Sequence, residues 1–142
     1  MAVRTATAIW EGTLKGGRGS MNFGSGAFVG AYSFASRFEE GLGTNPEELI
    51  GAAHAGCFSM ALSAELEKAG FTLTRVDTIA TVHLGKIDNK TRITHIDLDC
   101  IADVPDINEQ EFQKIANATV TGCPVSAALA GVDINLAARL AS

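Results

Sequence analysis

Residues 43–62 read GTNPEELIGAAHAGCFSMAL, and this stretch is the strongest structural signal in the chain. Asn45 suits an N-cap and Pro46 the first helical position, while Glu48 stands where a capping box has its acidic residue. The pattern therefore predicts a long helix that begins at Pro46 and ends at about Ala69, just before a glycine.

The middle of this predicted helix, from Leu49 to Leu62, is apolar on nearly every face. A helix with that pattern is buried on most of its surface. A chain of 142 residues has difficulty surrounding such a helix by itself, so a second copy of the chain is an expected partner.

The residues before the helix have the character of a small antiparallel sheet. Strand-like runs from Thr5 to Trp10 and from Ala27 to Phe34 are separated by turn-forming glycines. The predicted turns lie at Gly16, Gly17, Gly19, Gly24, Gly26 and Gly30. The segment Arg37–Gly43 that follows is predicted to be a charged loop.

Beyond the helix, apolar and polar side chains alternate in Val76–Leu84 and again in Ile96–Ala102, with a turn near Asp88–Asn89. This periodicity predicts a β-hairpin. Asn108–Glu111 forms a capping box that opens another helix, and Val132–Leu136 alternates as a last strand. The predicted fold class is α+β, with antiparallel sheet packed on helices.

Composition restricts the possible classes of function. Hydrophobic residues make up 46% of the chain and charged residues 19%, so residues 1–142 are expected to form a single globular domain. A net charge of −5 and the lack of a basic run argue against nucleic-acid binding. The longest apolar stretch is shorter than a membrane span, and no secretory signal is visible. We therefore expect a cytoplasmic protein without a membrane partner.

Three cysteines, Cys57, Cys100 and Cys123, are the candidate reactive groups. Their odd number argues against a disulfide scaffold. Because no CxxC pair is present and the three histidines are scattered along the sequence, no metal site is expected. Cys100 lies on the apolar side of a predicted strand and is interpreted as a small buried hydrophobic residue.

The other two cysteines have different local settings. Cys123 precedes Pro124, which makes it the predicted N-cap of a short helix through Leu129. Because the start of a helix lowers a thiol pKa, physical reasoning alone ranks Cys123 as the better nucleophile. Cys57 lies in the apolar helix and is inert unless a cation is near, and Arg37 is the candidate cation.

His54 stands three residues before Cys57 on the same predicted helix. It is either a base for that thiol or the partner in a structural hydrogen bond. The structural role is the more common one for a histidine in a packed helix.

Three segments together resemble a known family. Gly43–Leu62 is similar to the first cysteine motif of the OsmC/Ohr family (osmotically inducible protein C and organic hydroperoxide resistance protein), and Gly122–Ser126 is similar to the second. Arg37–Glu39 matches the arginine segment of this family, and Trp10–Gly12 extends the resemblance to the start of the chain. The run His54–Met60 is closer to the OsmC branch than to the Ohr branch.

The resemblance implies an intertwined homodimer with long central helices between the sheets. It implies that Cys57 is the peroxidatic thiol and Cys123 the resolving thiol, with Arg37 and Glu47 beside Cys57. The implied activity is that of a thiol-dependent peroxidase, which reduces organic hydroperoxides and, more weakly, hydrogen peroxide through a Cys57 sulfenic acid and a Cys57–Cys123 disulfide. No cofactor is implied, and an external dithiol, such as a lipoyl group, resets the enzyme. This order of the cysteines reverses the ranking from physical reasoning alone.

The implied site raises a problem of distance. Glu47 and Cys57 are ten residues apart, which corresponds to about 15 Å along a straight helix. A helix break near Gly51 would bring both to one arginine, and so would an antiparallel crossing, centred near Ala52, with the helix of a second subunit. The crossing is favoured because it also buries the apolar helix.

Two other functions remain consistent with the sequence. One is a dimeric thiol redox sensor or stress-associated binding protein without useful turnover, and the other is a structural stress protein with inert cysteines. Repeated turnover of an alkyl hydroperoxide with a dithiol separates them from an enzyme, because a sensor stops after about one equivalent.

Overall fold

A computed structural model describes residues 2–142. The elements in chain order are β1 (Ala6–Glu11), β2 (Arg18–Phe23), β3 (Val29–Tyr32), α1 (Phe34–Phe38), α2 (Pro46–Lys68), β4 (Arg75–Ile87), β5 (Lys90–Asp103), α3 (Glu109–Gly122), α4 (Pro124–Ala128) and β6 (Asp133–Leu140). The chain divides into two units, one through Leu49 and one from Ile50 to Ser142, and each is described separately.

The N-terminal unit contains the predicted antiparallel meander, with strand order β1-β2-β3. The prediction of turns at Gly19 and Gly30 is wrong, because these residues lie inside β2 and β3. Gly19 is in a strand for a steric reason: a Cβ there would lie 2.6 Å from the Tyr32 ring and 2.7 Å from the Trp10 ring. The glycine therefore admits two aromatic side chains across the sheet.

Helix α1 corrects a second prediction. Arg37 and Phe38 belong to this helix and not to a charged loop. Ser33 and Ser36 form a reciprocal capping box, in which each side chain bonds the backbone N–H of the other. Serine replaces the usual acidic residue at the third position, so the start of this helix was missed in the sequence.

Helix α2 begins as predicted. The N–H of Glu48 donates to Asn45 Oδ1 at 2.7 Å, and Pro46 is the first helical residue. The Glu48 carboxylate accepts from the Thr44 hydroxyl at 2.7 Å. The helix stops before Gly70, whose φ of +92° favours glycine. Because α2 is continuous over 23 residues, the alternative of a break near Gly51 is wrong.

The second unit contains the predicted hairpin of β4 and β5. Its two-residue turn is formed by Asp88 and Asn89, with φ values of +50° and +64°. Strand β6 pairs with β5 in parallel, so the prediction of wholly antiparallel sheets is wrong for this pair. The reason is the connection, since α3 and α4 return the chain to the end at which β5 began. The α+β class itself is confirmed.

The core of this unit forms where α2 and α3 pack on the inner face of the sheet. Its fully buried side chains include Phe58, Leu62, Leu66, Ile96, Cys100, Ala102, Phe112 and Ala116. The Asn108 side chain caps α3 by accepting from the Glu111 N–H at 2.8 Å, as predicted. This cap and the buried stripe of α3 position the chain for the turn at Cys123 that follows.

The opposite face of α2 is open. Ala52, Ala53 and Gly56 are exposed, and Met60 is 77% exposed. Within one chain this helix is therefore not buried on most of its faces, and the predicted burial would need the expected second copy. By length and composition alone α2 is also apolar enough to span a membrane, contrary to expectation, although a core helix of a soluble protein has the same features.

Candidate active site

Cys57 and Cys123 meet in the second unit. Cys57 lies on α2, and Cys123 lies in the turn between α3 and α4. Their Sγ atoms are 2.9 Å apart, and both thiols are free. A disulfide bond is about 2.05 Å long. The two sulfur atoms would therefore move by less than about 1 Å when they are oxidised to a disulfide.

The two thiols differ in access. Cys57 is partly exposed, whereas Cys123 is completely buried. Cys123 is the N-cap of α4 as predicted, with Pro124 at the first helical position. Its N–H donates to the Thr119 carbonyl at 3.0 Å, which joins the end of α3 to the start of α4. Cys123 is therefore held by backbone on both sides, while only Cys57 is open to a reactant.

His54 ties α2 to α4. Its Nε2 lies 2.7 Å from the Ser126 hydroxyl, and both residues are buried. Burial lowers the pKa of His54 and favours the neutral ring. Within residues 2–142, Nδ1 has no hydrogen-bond partner. The contact between His54 and Ser126 is thus the structural hydrogen bond that the sequence favoured. It joins α2 to α4, the helix that Cys123 caps.

The electrostatics of the pair favour a thiolate on Cys123. Burial raises the pKa of Cys57 and the contact with Cys123 raises it further, against an opposing Val125 N–H. Burial also acts against ionisation of Cys123, but hydrogen bonds from Cys57 and from the start of α4 outweigh it and lower its pKa. This order of the two pKa values agrees with the prediction from the place of Cys123 at a helix start. It also means that Cys57 needs a nearby cation if it is to ionise before Cys123.

Arg37 and Glu47 form an ion pair in the N-terminal unit. Arg37 Nη2 donates to Glu47 Oε1 at 2.7 Å, and Nε donates to the same oxygen at 3.0 Å. The Glu47 side chain is 9% exposed and the Arg37 side chain 37% exposed. The Arg37 guanidinium also lies 5.3 Å from the centre of the Phe38 ring. A buried carboxylate thus fixes the guanidinium, which keeps part of its surface accessible.

Comparisons with known proteins show the family to which this chain belongs. The family model for OsmC-like protein matches residues 39–137. The chain belongs to the OsmC-like family. It is 50% identical over 123 residues to the peroxiredoxin OsmC of Escherichia coli K12, covering 86% of each chain. The resemblance that was recognised in the cysteine motifs is confirmed, and this OsmC-like protein is a thiol-dependent peroxidase.

Solved structures agree on the fold. The organic hydroperoxide resistance protein OhrB of Bacillus subtilis superposes with a TM-score of 0.71 at 25% identity, covering 94% of this chain and 97% of that one. An OsmC-like protein from Mycoplasma pneumoniae superposes with a TM-score of 0.78 at 16% identity, covering 99% of each chain. The second likeness concerns the fold alone.

The third cysteine of the OsmC-like protein, Cys100, has a different environment from the other two. Cys100 is completely buried on the inner face of β5, as predicted. Burial raises its pKa to about 11, so its thiol stays protonated at neutral pH. We therefore expect no reactive role for Cys100.

Two features of the second unit were missed in the sequence. Ser126 contacts both His54 and Cys123, and its only signal was its place in the Gly122–Ser126 motif. His83 and His95 are not scattered, because the hairpin register sets them directly opposite each other. Such neighbours depend on strand pairing, which the spacing of residues along the chain does not show.

Proposed function

We propose that this OsmC-like protein reduces organic hydroperoxides, with Cys57 as the attacking thiolate and Cys123 as the resolving thiol. The observation that carries the proposal is the pairing of an accessible Cys57 with a buried Cys123 at an Sγ–Sγ distance of 2.9 Å. A peroxide reaches the first sulfur, and the second is already in place to capture the oxidised product.

The chemistry proceeds in three steps. The Cys57 thiolate attacks the terminal oxygen of ROOH, the O–O bond breaks, and the leaving alkoxide takes a proton to become the alcohol. The Cys123 thiolate then attacks the sulfur of the Cys57 sulfenic acid, and hydroxide leaves and is protonated to water. An external dithiol, for which a lipoyl group is the proposed example, reduces the disulfide by two thiol exchanges. No prosthetic cofactor enters this cycle.

The cation that Cys57 requires is proposed to be Arg37 of a second copy of the chain, oriented by Glu47 of that copy. Ten residues of the continuous helix α2 correspond to about 15 Å. In an antiparallel crossing centred near Ala52, Glu47 of one copy comes level with Cys57 of the other. The open face of α2 supports this crossing, because its small residues permit close approach of two helices.

Exposed apolar side chains support a preference for organic peroxides, and Met60 is 77% exposed in one chain. Phe38, at 41% exposed, and Met60 are the apolar side chains available to favour an organic peroxide. Phe58 cannot contribute to this preference, because it is completely buried in the core. We further propose that residues 1–142 act as one domain and that the protein works in the cytoplasm, where reductants keep free thiols reduced.

Peroxide consumption tests the proposal directly. Purified protein with excess dihydrolipoamide should consume many equivalents of cumene hydroperoxide, and hydrogen peroxide more slowly. The matched control is Cys57→Ser, which should consume none. Consumption that stops at about one equivalent indicates a sensor, and no thiol loss indicates a structural protein. Either result contradicts the proposed enzyme.

A further inference from the structure

Three potential metal ligands gather on the outer face of the second sheet. His83 on β4 and His95 on β5 are directly opposite each other in the hairpin, and Asp97 follows two residues along β5 on the same face. Ile96 and Leu98, the alternate residues of β5, are buried in the core on the other face. The cluster is therefore separate from the core and has no part in the thiol cycle described above.

The ligand atoms are close enough to share one cation. His83 Nε2 lies 2.9 Å from Asp97 Oδ2, and His95 Nε2 lies 3.7 Å from the same oxygen. All three ligand atoms lie within 4.8 Å of one another. Two ligands that each bind Zn²⁺ at about 2.0–2.1 Å in tetrahedral geometry are about 3.4 Å apart. The two observed distances lie on either side of that separation.

The hydrogen bonds around His95 leave its Nε2 atom free to bind a metal ion. The Thr94 hydroxyl donates its single proton to the His83 carbonyl at 3.3 Å, and its oxygen lies 3.0 Å from His95 Nδ1. In that arrangement the oxygen accepts from Nδ1–H of His95, which in a neutral ring is the Nδ1–H tautomer. This tautomer carries a lone pair on Nε2, the atom that faces Asp97. Second hydrogen bonds of this kind commonly fix metal-binding histidines.

Asp97 is held in a similar way. Its Oδ1 accepts from Asn135 Nδ2 on β6 at 3.0 Å, which leaves Oδ2 directed at the two histidines. The imidazole rings of His83 and His95 stack with centroids 3.8 Å apart and an interplanar angle of 10°. Because the rings are nearly parallel, each must rotate about χ2 before both lone pairs converge. The half-exposed surface leaves room for that rotation.

We propose that His83, His95 and Asp97 bind a divalent cation of the late first-row metals, with Zn²⁺ as the probe. Two imidazole nitrogens and one carboxylate oxygen form a ligand set that suits Zn²⁺, with a fourth position open to water. A bound ion would join β4 to β5, and through Asn135 it would also fix β6. The proposal does not depend on the peroxidase activity.

Isothermal titration of Zn²⁺ into the full chain tests the site, with the Cys57→Ser/Cys123→Ser variant included because thiolates also bind zinc. We expect about one equivalent bound in both proteins, with a higher melting temperature when zinc is present. His83→Ala and His95→Ala should each weaken binding at least about tenfold, and Asn135→Ala should weaken it to a smaller extent. Circular dichroism confirms that each variant is folded.

Two carboxylates provide a matched pair of variants. Asp97→Asn removes the ligand, whereas Asp99→Asn removes the same charge two residues further along the same face of β5. Only the first should weaken binding and abolish the rise in melting temperature. The proposal is overturned if the full chain binds no zinc, if binding disappears in Cys57→Ser/Cys123→Ser, or if it survives both His83→Ala and His95→Ala. In the last two cases the ion is held elsewhere.

Discussion

The Sγ atoms of Cys57 and Cys123 lie 2.9 Å apart, although 66 residues separate them in the sequence. Cys57 comes from the middle of the long helix α2, and Cys123 comes from the turn that opens α4. Their contact requires that α3 return the chain to α2, which it does by packing its buried stripe on the same core. Disulfide formation in this protein therefore needs only a local movement.

Ser126→Ala should impair resolution of the oxidised enzyme. The Ser126 hydroxyl helps to lower the pKa of Cys123, so its removal should raise that pKa. At a fixed neutral pH less Cys123 thiolate is then present, and disulfide formation should slow. The ultraviolet absorbance of the Cys123 thiolate, measured against pH in the Cys57→Ser background, should give a midpoint shifted to higher pH. The matched control is Ser59→Ala, whose hydroxyl bonds Thr78 at 2.8 Å and should leave this midpoint unchanged.

The same substitution should cost stability, because His54 loses its hydrogen-bond partner and is left buried. We expect a loss of about 1–3 kcal/mol in the free energy of unfolding, measured with denaturant.

A Cys123 titration that does not change in a folded Ser126→Ala protein would show that the Ser126 hydroxyl has no electrostatic effect on the Cys123 thiol.

Arg37→Ala should raise the pKa of Cys57, since the proposed stabilising charge is removed. The pH midpoint for alkylation of Cys57 should therefore move upward, and peroxide reduction at neutral pH should slow. Arg37→Lys should restore only part of the rate, because an ammonium cannot make the planar two-point contact with Glu47. Arg75→Ala is the control, since Arg75 pairs with Asp77 on the exposed surface. Identical alkylation profiles for Arg37→Ala and the control would eliminate the proposed role.

Mixed dimers should show whether the site is shared between subunits. When Cys57→Ser and Glu47→Gln chains are unfolded and reassembled together, a shared site gives each heterodimer one intact site and one doubly altered site. Each heterodimer should then recover about half of the wild-type activity, as one of two equivalent sites works. Native mass spectrometry confirms that heterodimers are present.

The structure also supplies a control for this mixing experiment. Cys57 and Cys123 meet within a single chain, so Cys57→Ser mixed with Cys123→Ser leaves one lesion in every site and should restore nothing. If the mixture of Cys57→Ser and Glu47→Gln is equally inactive, the crossing of two α2 helices is the wrong arrangement.

Cys100→Ala should leave peroxide turnover unchanged and lower the free energy of unfolding by about 1 kcal/mol. Cys100 is completely buried and its pKa is about 11, so its loss removes packing contacts but no reactive thiolate. Denaturant unfolding and a peroxidase assay measure the two effects. A large fall in turnover of the folded variant would mean that Cys100 takes part in the redox cycle.

Local signals in the sequence were sufficient for much of the fold. Asn45 and Asn108 mark helix starts that the structure contains, because capping depends on residues within one turn. The pairing of β6 could not be predicted, since alternation along Val132–Leu136 reveals which faces are apolar but not the direction of the neighbouring strand. Helix α1 was missed because its cap uses two serines.

The candidate site was predictable in part. The N-cap position of Cys123 follows from Pro124 alone, and it led to the correct expectation of a lowered thiol pKa. The proximity of Cys57 to Cys123 was expected from the family resemblance alone, because it depends on the packing of α2 with the turn before α4, which local sequence does not encode. For the same reason the pairing of His83 with His95 was not expected.

Mass spectrometry after a single pulse of alkyl hydroperoxide tests most directly which sulfur attacks. The Cys123→Ser protein should consume about one equivalent and carry a sulfenic acid on Cys57, trapped with a dimedone-type reagent. The Cys57→Ser protein should consume none and leave Cys123 as a thiol. If instead Cys57→Ser reacts and the sulfenic acid appears on Cys123, the lower pKa of the buried thiol decides the chemistry, and the proposed order of the two cysteines is wrong.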